Sequence, residues 1–181
     1  MKRHGMLPAA LWLAGCGAAW AAAGVNVWLD VPFVRQVKEG CGDASVSMVM
    51  KYWQKKLPLQ ARATADAAEI LRALPPGRHG VSAAEIVGYF QQHRYRVFTY
   101  ASDWGNMEGE LIKGRPLIAA LRPEGSHELH YVVVAGVNDP EQVVLLNDPA
   151  ERKLLKKSRA QFEREWKATG NWALLAVPEL K

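Results

Sequence analysis

The stretch Gln36-Val37-Lys38-Glu39-Gly40-Cys41-Gly42-Asp43-Ala44-Ser45, running on through Trp53, decides how this chain reads. Gly42 to Trp53 is predicted to be a helix. Val46, Met48, Val49, Met50, Tyr52 and Trp53 give it a broad apolar surface, and Ala44, Ser45 and Ser47 are small enough to let other elements approach closely. A helix this apolar belongs near the centre of a fold, so a cysteine stands at the mouth of a central helix. The thiolate is the reactive form of cysteine, and a helix N-terminus sets partial positive charge beside it. Gln36, five residues earlier, can offer a side-chain N–H to an oxygen that turns negative next to the sulfur. The plain alternative for Cys41 is a buried inert thiol, but the flanking Gly40 and Gly42 suit a tight turn better than a packed core.

A thiol nucleophile needs a base. His130 opens the apolar run His130 to Gly136, and Asn147-Asp148-Pro149 closes the next such run, Val143 to Leu146. His127, in the polar stretch Gly125-Ser126-His127-Glu128, is the rival base; His79 and His93 lack supporting context and read as surface residues. Asn138-Asp139-Pro140 repeats the tripeptide around Asp148 but falls between two strands, where it makes a hairpin turn. Asp148 instead follows the strand expected to pair with that of His130, within reach of the imidazole. The candidates are therefore Cys41 as nucleophile, His130 as base, Asp148 as orienter and Gln36 as oxyanion donor. No H-x-x-x-H pair or paired cysteines are present, so neither a metal site nor a cofactor is expected.

Around this set the elements fall in two groups. Trp28 to Phe33 is an extended lead-in, Leu59 to Ala73 a second, alanine-rich helix, and Ala83 to Arg94 a third, started by a capping box of Ser82 and Glu85. Arg96 to Ala101 reads as a strand and Asp103 to Lys113 as a short helix. Leu117 to Leu121, His130 to Val137, Val143 to Asn147 and Lys153 to Lys157 read as strands. Ser158 caps a helix through Trp166, and Trp172 to Val177 closes the sheet. A helical N-terminal half packed on a mainly antiparallel sheet is an α+β fold, with the site between the two layers.

Composition is that of an ordinary globular chain: 181 residues, 49% hydrophobic and 23% charged. The N-terminus reads separately. Lys2, Arg3 and His4 form a charged region, and Leu7 to Ala14 a short apolar one, so residues 1–23 read as a secretory signal and 24–181 as one domain. Leu13-Ala14-Gly15-Cys16 matches a bacterial lipobox, in which Cys16 is lipidated; Ala21-Ala22-Ala23 offers an ordinary cleavage site instead. The expectation is an exported protein, periplasmic, membrane-tethered through Cys16, or extracellular. By either route Cys16 leaves disulfide chemistry, and Cys41 is left without a partner, as suits a reactive thiol. The formal charge is +5, and its basic residues are scattered without interleaved aromatics, so no nucleic-acid partner is expected. Oligomeric state is not legible.

Taken together, Asp30 to Gln36, Cys41 to Met48, His130 to Gly136 and Asn147-Asp148-Pro149 resemble family thirty-nine of the cysteine peptidases, whose best-known members cut bacteriocin leaders after a double glycine. The resemblance spans about residues 28 to 177 and implies a papain-like fold. It also implies an endopeptidase acting on a protein or peptide through a Cys41–His130–Asp148 triad and a thioester, with Gln36 and the Cys41 N–H at the oxyanion. Two departures stand out: these residues contain no P-loop or transporter segment, and Gly40 replaces the acidic residue often found before the catalytic cysteine. The same chemistry allows acyl transfer to an amine, and the same groove allows peptide binding without cleavage.

Overall fold

The computed structural model describes residues 24–57, 64–75, 77 and 80–179. Residues 1–23, which read as a secretory signal, His79 and the start of the helix expected from Leu59 lie outside them. The first half carries β1 (Asn26–Trp28), α1 (Cys41–Lys56), α2 (Ala67–Ala73) and α3 (Ala83–Gln92). The second carries β2 (Tyr95–Ala101), α4 (Trp104–Ile112), β3 (Leu117–Leu121), β4 (His130–Asn138), β5 (Val143–Asn147), β6 (Leu155–Ser158), α5 (Arg159–Lys167) and β7 (Trp172–Pro178). The fold is thus α+β, a helical first half on an antiparallel sheet.

Local chemistry sets the ends of these elements. The Asp66 carboxylate accepts from the N–H groups of Ala68 and Glu69 at 2.9 and 3.1 Å, so the described helix starts there. Ser82 and Glu85 form the expected capping box, with the Ser82 N–H donating to Glu85 at 2.8 Å. That helix stops at Gln92, short of the expected Arg94, because Arg94 takes a left-handed φ of 63°. β6 likewise begins two residues later than expected: Leu154 is left-handed at φ 50°, and its N–H leaves the ladder for the Asn147 side chain.

The sheet runs β2-β7-β3-β4-β5-β6, and every pairing is antiparallel. β4 organises it. Residues 131–137 of β4 are buried without alternation, so both of its faces are covered. One edge of β4 is divided between two partners, β3 along His130–Val134 and β1 along Gly136–Asn138, while β5 takes the other edge. The change of partner coincides with a bulge at Ala135, whose carbonyl accepts from the Leu29 N–H at 2.7 Å. The helix α1 packs on β4, and its apolar surface is fully enclosed, with Met48, Met50 and Tyr52 at no more than 1% exposure. Its small residues do more than give clearance: Ser45 donates to the Tyr131 carbonyl and Ser47 to that of Ala65, at 3.3 and 2.6 Å.

Gly136 is required where β1 crosses the bulge. A Cβ there would stand 2.5 Å from the Val27 carbonyl oxygen and 2.8 Å from the Trp28 Cβ, and both belong to backbone-fixed parts of β1. Gly136→Ala is expected to force β1 off the sheet and lower unfolding free energy by about 1–3 kcal/mol. Urea unfolding of the variant against the parent chain measures this; an unchanged midpoint would show that β1 contributes nothing there.

Candidate active site

Cys41 is the first residue of α1, one position earlier than the sequence pattern places the helix. Gly40 is the N-cap and provides no side chain to cap with. The first backbone bond of the helix runs from the Ala44 N–H to the Gly40 carbonyl at 3.1 Å. Among the described residues no acceptor meets the N–H of Cys41. It is one of the orphan donors that every helix start carries. A glycine at position 40 follows from crowding, since a Cβ would lie 2.9 Å from the Val37 carbonyl oxygen and 3.1 Å from the Asp43 carboxylate. The expectation that Gly40 and Gly42 mark a tight turn rather than a packed core needs correction: Cys41 is only 9% exposed, and Gly42 lies inside the helix, packed towards Val81 and Ile86. Cys41 nonetheless lines a cleft of about 320 Å³ together with Glu39, Val81, Ala83, Glu128, Leu129 and Tyr131.

His130 is the first residue of β4, and Asp148 stands one residue beyond the end of β5. Asp148 Oδ1 and His130 Nε2 are 2.7 Å apart, and the Cys41 side chain lies close enough to the imidazole to act on its titration. With Nε2 on Asp148, the remaining ring nitrogen, Nδ1, is the one left for sulfur. Burial works against the imidazolium, but hydrogen bonds to Asp148 and Cys41 and their negative charges outweigh it and raise His130 from 6.5 to about 9. For Asp148 burial pushes upward, yet the His130 hydrogen bond and charge and the N–H donors of Ala150 and Glu151 hold it below the ordinary carboxylate value.

Three of the four sequence candidates, Cys41, His130 and Asp148, therefore share one connected cluster. Gln36 is engaged differently. Its side-chain Nε2 donates to the Lys38 carbonyl at 2.9 Å, and its buried Oε1 has no partner. One amide hydrogen is thus committed to the turn before Cys41, and the amide's second hydrogen is the one still available. The rivals stand apart. His127 is exposed in its loop, Asp139 accepts from the Trp104 indole at 3.0 Å, and His93 is not free on the surface but half-buried, with Nδ1 2.7 Å from the Tyr89 carbonyl.

The residues that hold this cluster were not singled out by sequence. Asn147 is fully buried and cross-links two segments: its Nδ2 donates to the Val31 carbonyl at 3.0 Å and its Oδ1 accepts from the Leu154 N–H at 3.0 Å. Arg35 donates to the carbonyls of Ala150 and Glu151 at 3.2 and 2.8 Å, and the Gln36 N–H donates to the Pro149 carbonyl at 3.0 Å. The strand leading to Cys41 is thereby fastened to the turn that carries Asp148. Asp43 is the exception to good pairing. It is 2% exposed, neither carboxylate oxygen has a hydrogen-bond partner, and burial pushes it from 3.8 up to about 6.

The profile of the Peptidase_C39-like family matches residues 28–174. Among solved structures, a protein described as a C39-like peptidase from Bacillus anthracis aligns with a TM-score of 0.68 at 18% identity, over 87% of this chain and 100% of that one. The peptidase domain of Streptococcus ComA, a bifunctional ABC transporter of a quorum-sensing pathway, aligns at 0.65 and 20% identity, over 82% and 99%. A double-glycine-motif protease from an AMS/PCAT transporter, solved with its leader peptide, aligns at 0.60 and 21% identity, over 86% and 100%. Among curated proteins, none matches the sequence.

Asp43 gives a prediction for stability. Because its folded-state value of about 6 lies above 3.8, the carboxyl ionises more readily in the unfolded chain, which weakens the fold above about pH 6 and has no effect below about pH 3. Asp43→Asn is expected to be more stable than the parent near pH 7, by up to about 3 kcal/mol, with the gain vanishing towards pH 3. Denaturant titrations at the two pH values measure it, and a gain independent of pH would mean that ionisation of Asp43 is not the cause.

Proposed function

The chain belongs to the Peptidase_C39-like family, and from that premise we propose that it is an exported cysteine endopeptidase with Cys41, His130 and Asp148 as its catalytic triad. The observation that carries the reading is the hydrogen bond of His130 Nε2 to Asp148 at 2.7 Å, with Cys41 beside the same imidazole and raising its pKa. Export rests on the signal-like residues 1–23, with Cys16 or the bond after Ala23 as the processing point. The substrate is an extended segment of a protein or peptide, in keeping with the neighbour solved with a leader peptide.

The roles follow from the geometry. With the imidazolium maintained to about pH 9, His130 pairs with a Cys41 thiolate through Nδ1 while its Nε2–H donates to Asp148, which fixes the ring plane. The thiolate attacks the scissile carbonyl carbon, and the carbonyl π electrons move onto oxygen. The free Cys41 N–H at the start of α1, aided by the helix dipole, stabilises that oxyanion, with the second amide hydrogen of Gln36 as the other donor. Collapse of the intermediate breaks the C–N bond, and His130 gives its proton to the leaving amine. The acyl group stays on sulfur as a thioester. His130, now neutral, takes a proton from water; the hydroxyl adds to the thioester carbon, and thiolate departs, leaving a carboxylic acid and the restored ion pair. The bonds of Asn147 and Arg35 tie the segment ahead of α1 to the turn carrying Asp148, so the reacting atoms are positioned before substrate arrives.

The test is digestion of a peptide library by the purified protein, read by mass spectrometry. Internal cleavage is expected, with the two products together gaining one water, and Cys41→Ala or His130→Ala is expected to lower the rate by about a thousandfold or more. Activity is expected to fall as pH rises through about 9, where His130 loses its proton. Products lacking the added water would indicate transfer to an amine, and unchanged turnover in Cys41→Ala would remove the triad reading altogether. Tight peptide binding without cleavage would make the protein a binding module.

A further inference from the structure

The cleft that Cys41 shares with Val81, Ala83, Leu129 and Tyr131 has an unusual electrostatic character. Its apolar walls come from three separate places: the loop and first turn of α3, the segment leading into β4, and β4 itself. Two acidic residues line the same cleft, Glu39 from the turn before α1 and Glu128 from the segment before β4. Both residues are exposed, and among the described residues neither carboxylate has an ion-pair partner. The N-terminus of α3 does not offset them, because Glu85 in its first turn already bonds the N–H and hydroxyl of Ser82 at 2.8 and 2.6 Å. Tyr131 in the cleft wall is pushed up to about 12, by burial first and then by the charges of Cys41 and Glu85. Leu129, 43% exposed beside Glu128, supplies apolar surface at the rim.

We infer that this cleft is a specificity pocket for a lysine or arginine side chain next to the scissile bond, its methylene stem against Val81, Ala83 and Leu129 and its cationic head between Glu39 and Glu128. The inference deepens the peptidase reading and rests on it. The match is one of shape and charge together. Lysine and arginine side chains pair a long apolar stem with a charged end that stays near water. A cleft of about 320 Å³ suits one long side chain. Glu39 and Glu128, both lining the cleft, complete such a site, whereas an acidic side chain would meet repulsion from both. Each pair lies near the surface, so the preference is moderate, about tenfold for the two carboxylates combined, and it weakens with salt.

Two measurements separate this inference from the reading beneath it. In the first, Cys41 is labelled by methanethiosulfonates, which transfer a thioalkyl group to the sulfur as a disulfide and release methanesulfinate. One reagent carries an ammonium head and the other a sulfonate head, each normalised to the neutral methyl reagent. The ammonium reagent is expected to react about tenfold faster than the sulfonate one in the parent chain. That ratio should fall towards one in the Glu39→Gln, Glu128→Gln double variant and in high salt. A ratio unaffected by loss of both carboxylates overturns the inference. In the second, the library digest is sorted by sequence around each cut. Lysine or arginine is expected at one fixed position beside the bond, with the preference lost in the double variant. Cleavage without such a preference also overturns the inference, while charge-selective labelling in a chain that cuts no peptide refutes the peptidase reading and leaves the cleft's preference for a cation standing.

Discussion

The antiparallel pairing of β4 with β5 is the constraint on which the site depends. Its register sets Val133 opposite Asn147. Carried one residue further, the same register sets Asp148 opposite Val132, diagonal to His130 and on the same face. A slip of one residue would turn Asp148 to the other face and separate it from the imidazole. The register is well protected. Nearly every residue of β4 is buried, so any slip exposes or strands apolar side chains, and the bulge at Ala135 fixes where the strand changes partner.

The second constraint is the fastening of the segment ahead of α1 to the turn after β5. Val31, Arg35 and Gln36 on one side and Asn147, Pro149, Ala150 and Glu151 on the other are joined by four hydrogen bonds. None of these residues carries out chemistry in the reading given above except Gln36, yet together they determine where the thiol lies relative to the imidazole. The arrangement helps bring Cys41 and His130, 89 positions apart in the chain, into one connected cluster.

Much of this was legible in the residues themselves. β3 and β5 have the bounds their apolar runs predict, because Pro116 and the Asn147-Asp148-Pro149 tripeptide punctuate them sharply. The capping box at Ser82 fixed the start of α3 for the same reason: its chemistry is local. What escaped was non-local. Gly40 and Gly42 read as a tight turn, whereas crowding by Val37, Val81 and Ile86, which only the fold brings near, accounts for them. β1 is three residues long and exists because the far end of β4 has an unpaired edge, a fact no periodicity records. Asp66 was passed over as a cap in favour of the alanine-rich pattern before it. The juxtaposition of Cys41, His130 and Asp148 was accessible because each stands at the end of an element; the bonds of Asn147 and Arg35 were not, since backbone carbonyls leave no mark on sequence.

The depth of Cys41 has a bearing on redox chemistry. A disulfide between two folded molecules needs their Cβ atoms to come within about 4 Å of each other. Cys41 lies at 9% exposure and lines a cleft of about 320 Å³ together with Glu39 and Glu128. A second copy of the chain, or any folded protein with a surface thiol, cannot bring its backbone that close. Small oxidants and extended peptides can. The walls of the cleft are therefore a steric filter against covalent dimerisation through the free cysteine. The residual hazard is stepwise oxidation by small molecules, beginning with sulfenic acid.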